Sequence, residues 1–442
     1  MGLEDVWNLL ITNKIKTVRF QFVDLYGTVR CKNIPVRHFR EKATKGLNVL
    51  MGYLVLTPYG DFPEDTAYGE ESGFGDVTCY PDFETFHLLP WLNDFAGVIT
   101  TPLLENKKLN SCPREIAIKQ LRELEEMGYS LLSAHEYEFT VINRATSKPI
   151  LEDSNWASAL RMLEAEEFFD VLAEDLPKMG IDIETIQGEH GPGQIEITYK
   201  PSTGIKAADI AVMFKNAVKE IAWKQGFSAS FMSKPFKQWG PLSAHFNHSL
   251  WDQMENSVLF DDNDPNKLSK VAKHWIAGIL HHARAISILM APTSNCMLRY
   301  HDNPVVPSTV SWGMDNRTAA LRVNRSGDRG IFFENRMGAA CGNPYISMAA
   351  TVAAGIDGIR RQLSLPPEVT GQKKDNMELI PSTQEEAMEC FLKDDVICKA
   401  FGEDFIRSFT ALWKMEQKSR CEALAKGIDE YEWARSYFFK YM

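Results

Sequence analysis

The stretch Leu131–Ile142, LLSAHEYEFTVI, sets two carboxylates, Glu136 and Glu138, into an otherwise apolar run. The run reads as a buried strand. In a strand, residues i and i+2 point to the same face, so Glu136 and Glu138 converge on one side of a sheet. On a helix they would diverge by roughly 200°. The chain carries its own comparison, because the same tripeptide recurs as Glu430-Tyr431-Glu432 in GIDEYEWARSYFFKYM. That segment has helical character, so its two glutamates are expected to diverge into solvent. Two parallel carboxylates in a hydrophobic strand need positive charge between them, because uncompensated burial is costly.

Three further segments place comparable groups in strand-like surroundings. QGEHGPGQIEITYKP carries Glu189 and Glu196 around a Gly-Pro-Gly turn, which lets the backbone reverse and brings both carboxylates to one site. GPLSAHFNHSLWD places His245 and His248 in an apolar strand, and His248 reads as a core histidine. GIFFENRMG puts Glu334 and Arg336 on one strand face just after two phenylalanines. Carboxylates with one imidazole suit a hard divalent cation, Mg²⁺ or Mn²⁺, better than zinc. Two such ions imply phosphoryl transfer, in which metals neutralise charge on the moving group.

The whole chain fits that reading. Its 442 residues, 44% hydrophobic and 24% charged, make an ordinary globular protein with ample core-forming material. A net charge of −11, with no clustered basic run, argues against a nucleic-acid partner. No apolar stretch approaches the ~18 residues that span a bilayer, so no membrane role is expected. The start, MGLEDVWNLL, lacks a basic n-region and a cleavage site. The eight cysteines are scattered without a C-x-x-C pair, as in reduced intracellular proteins, and a cytoplasmic location is expected.

Short β-type runs fill the first hundred residues, among them a hairpin about Tyr26-Gly27 and a strand over GLNVLMGYLVLTPYG. A polar, Pro-containing segment then precedes a helix over 114–127, placing a domain boundary near residue 106. Beyond it, strands are expected at 129–143, 182–199, 228–235, 242–250, 318–324 and 330–336. Helices are expected at 156–178, 204–226, 265–290, 344–363 and several times from 383 onward. The predicted fold class is α+β: a small β-rich domain over 1–106, then a large domain over 107–442 with a mainly antiparallel sheet backed by helices.

Taken in order, these segments resemble the glutamine synthetase family over nearly the whole chain. KTVRFQFVDLYGTVRCKNIP looks like the family's N-terminal β-grasp opening, and HEYEF like its E-x-E strand. GEHGPGQIEI, FMSKPFKQWGPLSAHFNHSL, NRTAALRV and FFENRMGAACGNPYISMAA resemble four further family blocks. The resemblance implies one metal at Glu138, Glu189 and Glu196, and another at Glu136, His245 and Glu334. It places Arg299 at the substrate carboxylate and Arg317, Arg322 and Arg336 at phosphates or substrate. It also places Ser249 and Arg329 at the nucleotide. It implies a reaction in which ATP phosphorylates a carboxylate and an amine attacks the acyl phosphate. A homo-oligomer of stacked rings, commonly a dodecamer, is implied too, with each site between neighbouring subunits.

Several positions depart from the family pattern. The family acid that helps deprotonate the incoming ammonium falls at Met51 or Thr57, with Asp61 the only nearby carboxylate. A second family acid, on a flap, is Val305, with His301 and Asp302 just before it. The second histidine of H-x-H is Asn247, Pro241 replaces a glycine in the substrate loop, and an arginine two residues before the last metal ligand is Phe332. Two functions are therefore expected as alternatives: a ligase with altered amine specificity or weak activity, or a metal-retaining assembly protein without turnover, open to a protein partner.

Overall fold

The computed structural model describes residues 1–300, 305–327, 329–371 and 377–442. Two β-sheets organise the chain. The first contains β1 (Thr17–Val23), β2 (Val29–Pro35), β3 (Leu47–Leu50), β4 (Asp76–Pro81), β5 (His87–Leu88), β6 (Phe95–Leu104) and β7 (Lys107–Lys108). Its order is β2-β1-β6-β4-β3, with β5 and β7 each paired to β6. The β1–β2 hairpin turns at Tyr26-Gly27 as expected, with Val23 opposite Val29. The strand expected over 46–60 is shorter. It holds only from Leu47 to Leu50, and Met51–Val55 then winds into a 3-10 turn. Met51, Leu54 and Val55 all enter the core, so this apolar run carries no period that separates strand from turn.

The second sheet contains β8 (Ser130–Asn143), β9 (Ile183–Gly188), β10 (Gln194–Tyr199), β11 (Ser202–Thr203), β12 (Phe227–Ser230), β13 (Ala244–Trp251), β14 (Trp312–Met314), β15 (Leu321–Ser326) and β16 (Gly330–Asn335). Its order is β14-β15-β16-β13-β8-β10-β9, with β11 and β12 also on β8. Only the β14–β15 pair is parallel among these strands. Period-two alternation along β8 separates the two faces of the sheet. Leu131, Ser133, His135, Tyr137, Phe139 and Val141 are buried, while Glu136 and Glu138 lie on the open side.

Helices cover the buried face. Phe168, Phe169 and Leu172 from helix Glu166–Lys178, and Phe214 from helix Ile205–Lys224, share a core with Tyr137 and Phe139. Trp275 from helix Lys270–His281 and Tyr345 from helix Pro344–Arg361 share the largest core with Leu131 and Phe246. Phe22, Met51 and Leu54 belong to that same core, so the first sheet is packed onto the second. Helix Pro344–Arg361 starts where Asn343 accepts the Tyr345 N–H (3.1 Å) and Pro344 occupies the first turn. The Asn343 amide also donates to the Asp24 carbonyl (2.9 Å), tying this helix start to the β1–β2 hairpin.

Two expected helices are interrupted. The run over 156–178 is a helical turn at Ala159–Met162, a 3-10 turn at Leu163–Ala165, and then helix Glu166–Lys178. The run over 265–290 divides at His282, whose ring is held by Asp394 (2.6 Å) and Asp357 (3.0 Å). No helix among the described residues is long and apolar enough to cross a membrane.

Candidate active site

Strand register builds the site. Across the open face, Glu138 lies opposite Glu196, and Glu196 opposite Gln187. On the other side Glu136 lies opposite His245, Asn247 opposite Glu334, and Glu334 opposite Arg322. Paired residues of antiparallel strands share a face, so six strands aim these side chains into one space. The chain's other E-x-E pair behaves differently. Glu430 and Glu432 lie in helix Glu430–Phe438, where Glu430 pairs with Arg420 (2.8 Å) and Glu432 is exposed.

Glu136, His245 and Glu334 form the tightest group, with donor atoms all within 4.8 Å of one another. His245 Nδ1 lies 3.1 Å from Glu136 and 3.2 Å from Glu334. Asn247 donates to the other Glu136 oxygen (3.2 Å), so the departure at this position still serves the cluster. Glu334 also accepts from Arg322 (2.9 Å), Asn324 (3.3 Å) and Arg336. Burial raises the Glu136 and Glu334 carboxyls, but His245, and the guanidinium groups beside Glu334, outweigh it and hold both below the ordinary range.

The second trio has the opposite balance. Glu138 accepts the Ser243 N–H (2.9 Å), and Gln187 bridges Glu189 (3.1 Å) and Glu196 (2.9 Å). Burial, then the charge of Glu189, pushes the Glu138 carboxyl well up. Burial, then Glu136, Glu138 and Glu189, pushes Glu196 up as well. An oxygen-rich donor set in which burial raises Glu138 and Glu196 fits a hard divalent ion.

Two cavities meet at this cluster. One, of about 820 Å³, is lined by both glutamates of β8, by Glu189, Glu196 and His245, and by Arg317, Arg322 and Arg336. The other, of about 570 Å³, is lined by Ser249, Asn324, Phe332, Trp251 and Glu334 among others. Glu136 and Arg322 border both, so the cluster divides two chambers. Ser249 follows His245 and Asn247 on the same face of β13 and points to the second chamber.

Two of the expected arginines lie apart from both cavities. Arg299 is fully buried and lines neither cavity. Its guanidinium donates to the Met337 carbonyl (2.8 Å), the Gly338 carbonyl (2.9 Å) and the Ser243 hydroxyl (2.8 Å). These bonds tie the segment after β16 to the start of β13. Arg329 is exposed in the turn before β16, with its guanidinium 5.9 Å from the Phe260 ring centroid, and it also lines neither cavity.

Further residues shape the site, and of these Arg161 and Trp156 belong to no quoted motif. Arg161 clamps the Gly-Pro-Gly turn, donating to the carbonyls of Glu189 (2.8 Å) and Gly191 (3.2 Å). Gly193, at φ +66°, is required in this turn, since a Cβ there would lie 2.7 Å from the Val141 carbonyl oxygen. Trp156 reaches over the cavity and donates to Glu189 (3.2 Å). Lys234 and Trp239 also line this chamber.

The family model for the glutamine synthetase catalytic domain matches residues 110–435. The chain belongs to the glutamine synthetase family. Lengsin of Rattus norvegicus is 35% identical over 419 residues, covering 91% of this chain and 73% of that protein. Glutamate–isopropylamine ligase of a Pseudomonas species is 31% identical over 428 residues, covering 92% and 93%. A solved structure described as a novel glutamine synthase homolog superposes with a TM-score of 0.84 at 25% identity, covering 96% and 98%. The fold is thus of the glutamine synthetase type.

Against the family pattern, Met51 and Thr57 are buried and line neither cavity of this chain. Thr57 is held by Asp61, whose N–H donates to its hydroxyl (3.0 Å). Val305 does line the first cavity, and its carbonyl accepts from Arg336 (3.4 Å). His301 and Asp302 lie outside the described residues.

Proposed function

We propose that this glutamine synthetase-like chain is an ATP-dependent carboxylate–amine ligase of the acyl-phosphate type. It acts on glutamate or a related acid, with an amine other than ammonia or with ammonia at a low rate. The observation that carries this reading is the row of carboxylates and His245 between two chambers. One chamber suits the nucleotide, with Ser249 on its wall, and the other suits the acid and the amine. Glu136, His245 and Glu334 would hold one divalent ion, Mg²⁺ or Mn²⁺, and Glu138, Glu189 and Glu196 the other. Bound there, such ions neutralise charge on the transferred phosphoryl group. Arg317, Arg322 and Arg336 offer planar forks to phosphate or carboxylate oxygens.

With Val305 in place of the family's flap acid, no side chain at that position takes a proton from the amine. A general base is worth about 10²–10⁴ in rate, so an amine arriving as the free base is favoured. The names of relatives support a substituted amine, since one is a glutamate–isopropylamine ligase and another a gamma-glutamylethanolamide synthetase of Streptomyces coelicolor. The proposal includes a small domain over 1–106, a catalytic domain over 107–442, and a cytoplasmic ring of subunits.

The absent acids and the similarity to lengsin favour a second reading, a metal-retaining assembly without turnover. ADP release separates the two. With Mg²⁺ or Mn²⁺, ATP and glutamate, the ligase reading expects release that depends on one member of a panel of ammonia, hydroxylamine, alkylamines and polyamines. ATP binding without release for any amine overturns it.

A further inference from the structure

Two thiols that the ligase chemistry does not use meet in the core, where Ser233 beside them adjoins Lys234 of the first cavity wall. Cys296 and Cys341 are 45 residues apart in sequence, and their sulfurs lie 3.2 Å apart. Both are buried, at 0% and 2% exposure. Around Cys296 the Thr293 hydroxyl lies at 3.1 Å and the Ser233 hydroxyl donates at 3.4 Å. Hydroxyl donors of this kind stabilise a thiolate over a thiol. The buried Lys215 amine donates to the carbonyl of Gly342 (3.0 Å), next to Cys341 in the chain.

We propose that Cys296 and Cys341 are a reversible oxidation site, converted to a disulfide by a hydroperoxide and restored by a dithiol. The Cys296 thiolate attacks one peroxide oxygen, the O–O bond breaks, and the departing oxygen leaves as hydroxide, giving a sulfenic acid. Cys341 sulfur then attacks the Cys296 sulfur and expels a second hydroxide. The Cys341 proton and the proton released from the Cys296 thiol convert both hydroxides to water. Hydrogen peroxide is thereby reduced and the two thiols are oxidised. The sulfurs need to approach by about 1 Å to reach bonding distance, a small movement for two side chains already in contact.

The bridge would act on the active site through the segments that flank it. Cys296 lies three residues before Arg299, which binds the Met337 and Gly338 carbonyls and the Ser243 hydroxyl. Cys341 lies between those residues and Asn343, which caps the helix and holds the β1–β2 hairpin. Ser233 precedes Lys234, a residue of the cavity wall whose N–H donates to Asn295 (2.8 Å). A covalent bond at this junction stiffens three segments that carry Ser243, Lys234 and Arg336. The inference concerns the thiols themselves and stands whether or not the chain turns over ATP.

The test uses the native full-length protein with its exposed Cys31 and Cys421 as internal controls. After treatment with hydrogen peroxide and alkylation, non-reducing peptide mapping is expected to show the Cys296 peptide joined to the Cys341 peptide. Dithiothreitol should release it, and the oxidised protein should melt at a higher temperature than the reduced one. Cys341→Ala should lose both the joined peptide and the peroxide-dependent shift. Oxidation of Cys31 and Cys421 without a joined 296–341 peptide overturns the proposal. So does a joined peptide that forms only after denaturation.

Discussion

The two halves of the carboxylate cluster should respond to neutralisation with opposite signs. In metal-free protein Glu138 is buried against Glu189 and Glu136, and its carboxyl is pushed well above the ordinary value of 4.5. Ionising that carboxyl in the folded state is therefore unfavourable without a cation. Glu138→Gln removes the titrating group and should stabilise the metal-free protein. Glu334 is the reverse case. Its carboxylate is 3% exposed and pairs with Arg322 and Arg336, so Glu334→Gln leaves buried guanidinium groups uncompensated. Such losses cost about 3–5 kcal/mol. With metal the signs converge, because a ligand bound at 100 times its Kd stabilises by about 2.7 kcal/mol and each variant removes a donor. The assay is unfolding of wild type and both variants in EDTA, then across a Mg²⁺ or Mn²⁺ titration at constant ionic strength. Shifts of the same sign in EDTA, or a wild-type metal response in either variant, would refute the reasoning.

Further outcomes are expected elsewhere in the molecule. Glu416 is buried and its carboxyl is raised to about 7, chiefly by that burial and against the Ser294 N–H bond of 2.7 Å. The folded state therefore binds the extra proton between about 4.5 and 7, and stability falls as pH rises through that window by about 3 kcal/mol in all. Glu416→Gln should flatten that part of the pH profile in urea unfolding, and an unchanged profile would contradict the assignment. Val305→Glu should raise ADP release with ammonia by about 10²-fold or less, toward the worth of a general base, and should leave alkylamine turnover less affected. Trp156→Ala should raise the amine KM more than the ATP KM, because the indole faces Glu189 across the first cavity rather than the second.

What the sequence conveyed depended on the kind of constraint involved. Glu136 and Glu138 were legible because a period of two assigns their face without knowledge of any partner strand. Glu189 and Glu196 were legible because Gly193 and its neighbours announce the reversal that joins β9 to β10. Register across the sheet is different, since it depends on long-range pairing, and the family resemblance supplied only the grouping of the side chains. The Arg299 contacts were illegible for the same reason, since they reach carbonyls 38 and 39 residues away. Met51–Val55 misread as strand because an apolar run buried on all sides carries no period. The break at His282 depends on Asp357 and Asp394, both remote in sequence.

The central claim is that this cluster transfers a phosphoryl group to a carboxylate, and one measurement addresses it directly. Glutamate carrying heavy oxygen in its side-chain carboxylate is incubated with ATP, Mn²⁺ and the amine panel, and the released phosphate is analysed by mass. An acyl-phosphate ligase moves one labelled oxygen from the acid into phosphate for each amide formed, and Glu138→Gln abolishes the transfer. Phosphate that appears without label, or no phosphate with any amine while ATP and metal bind, would contradict the account.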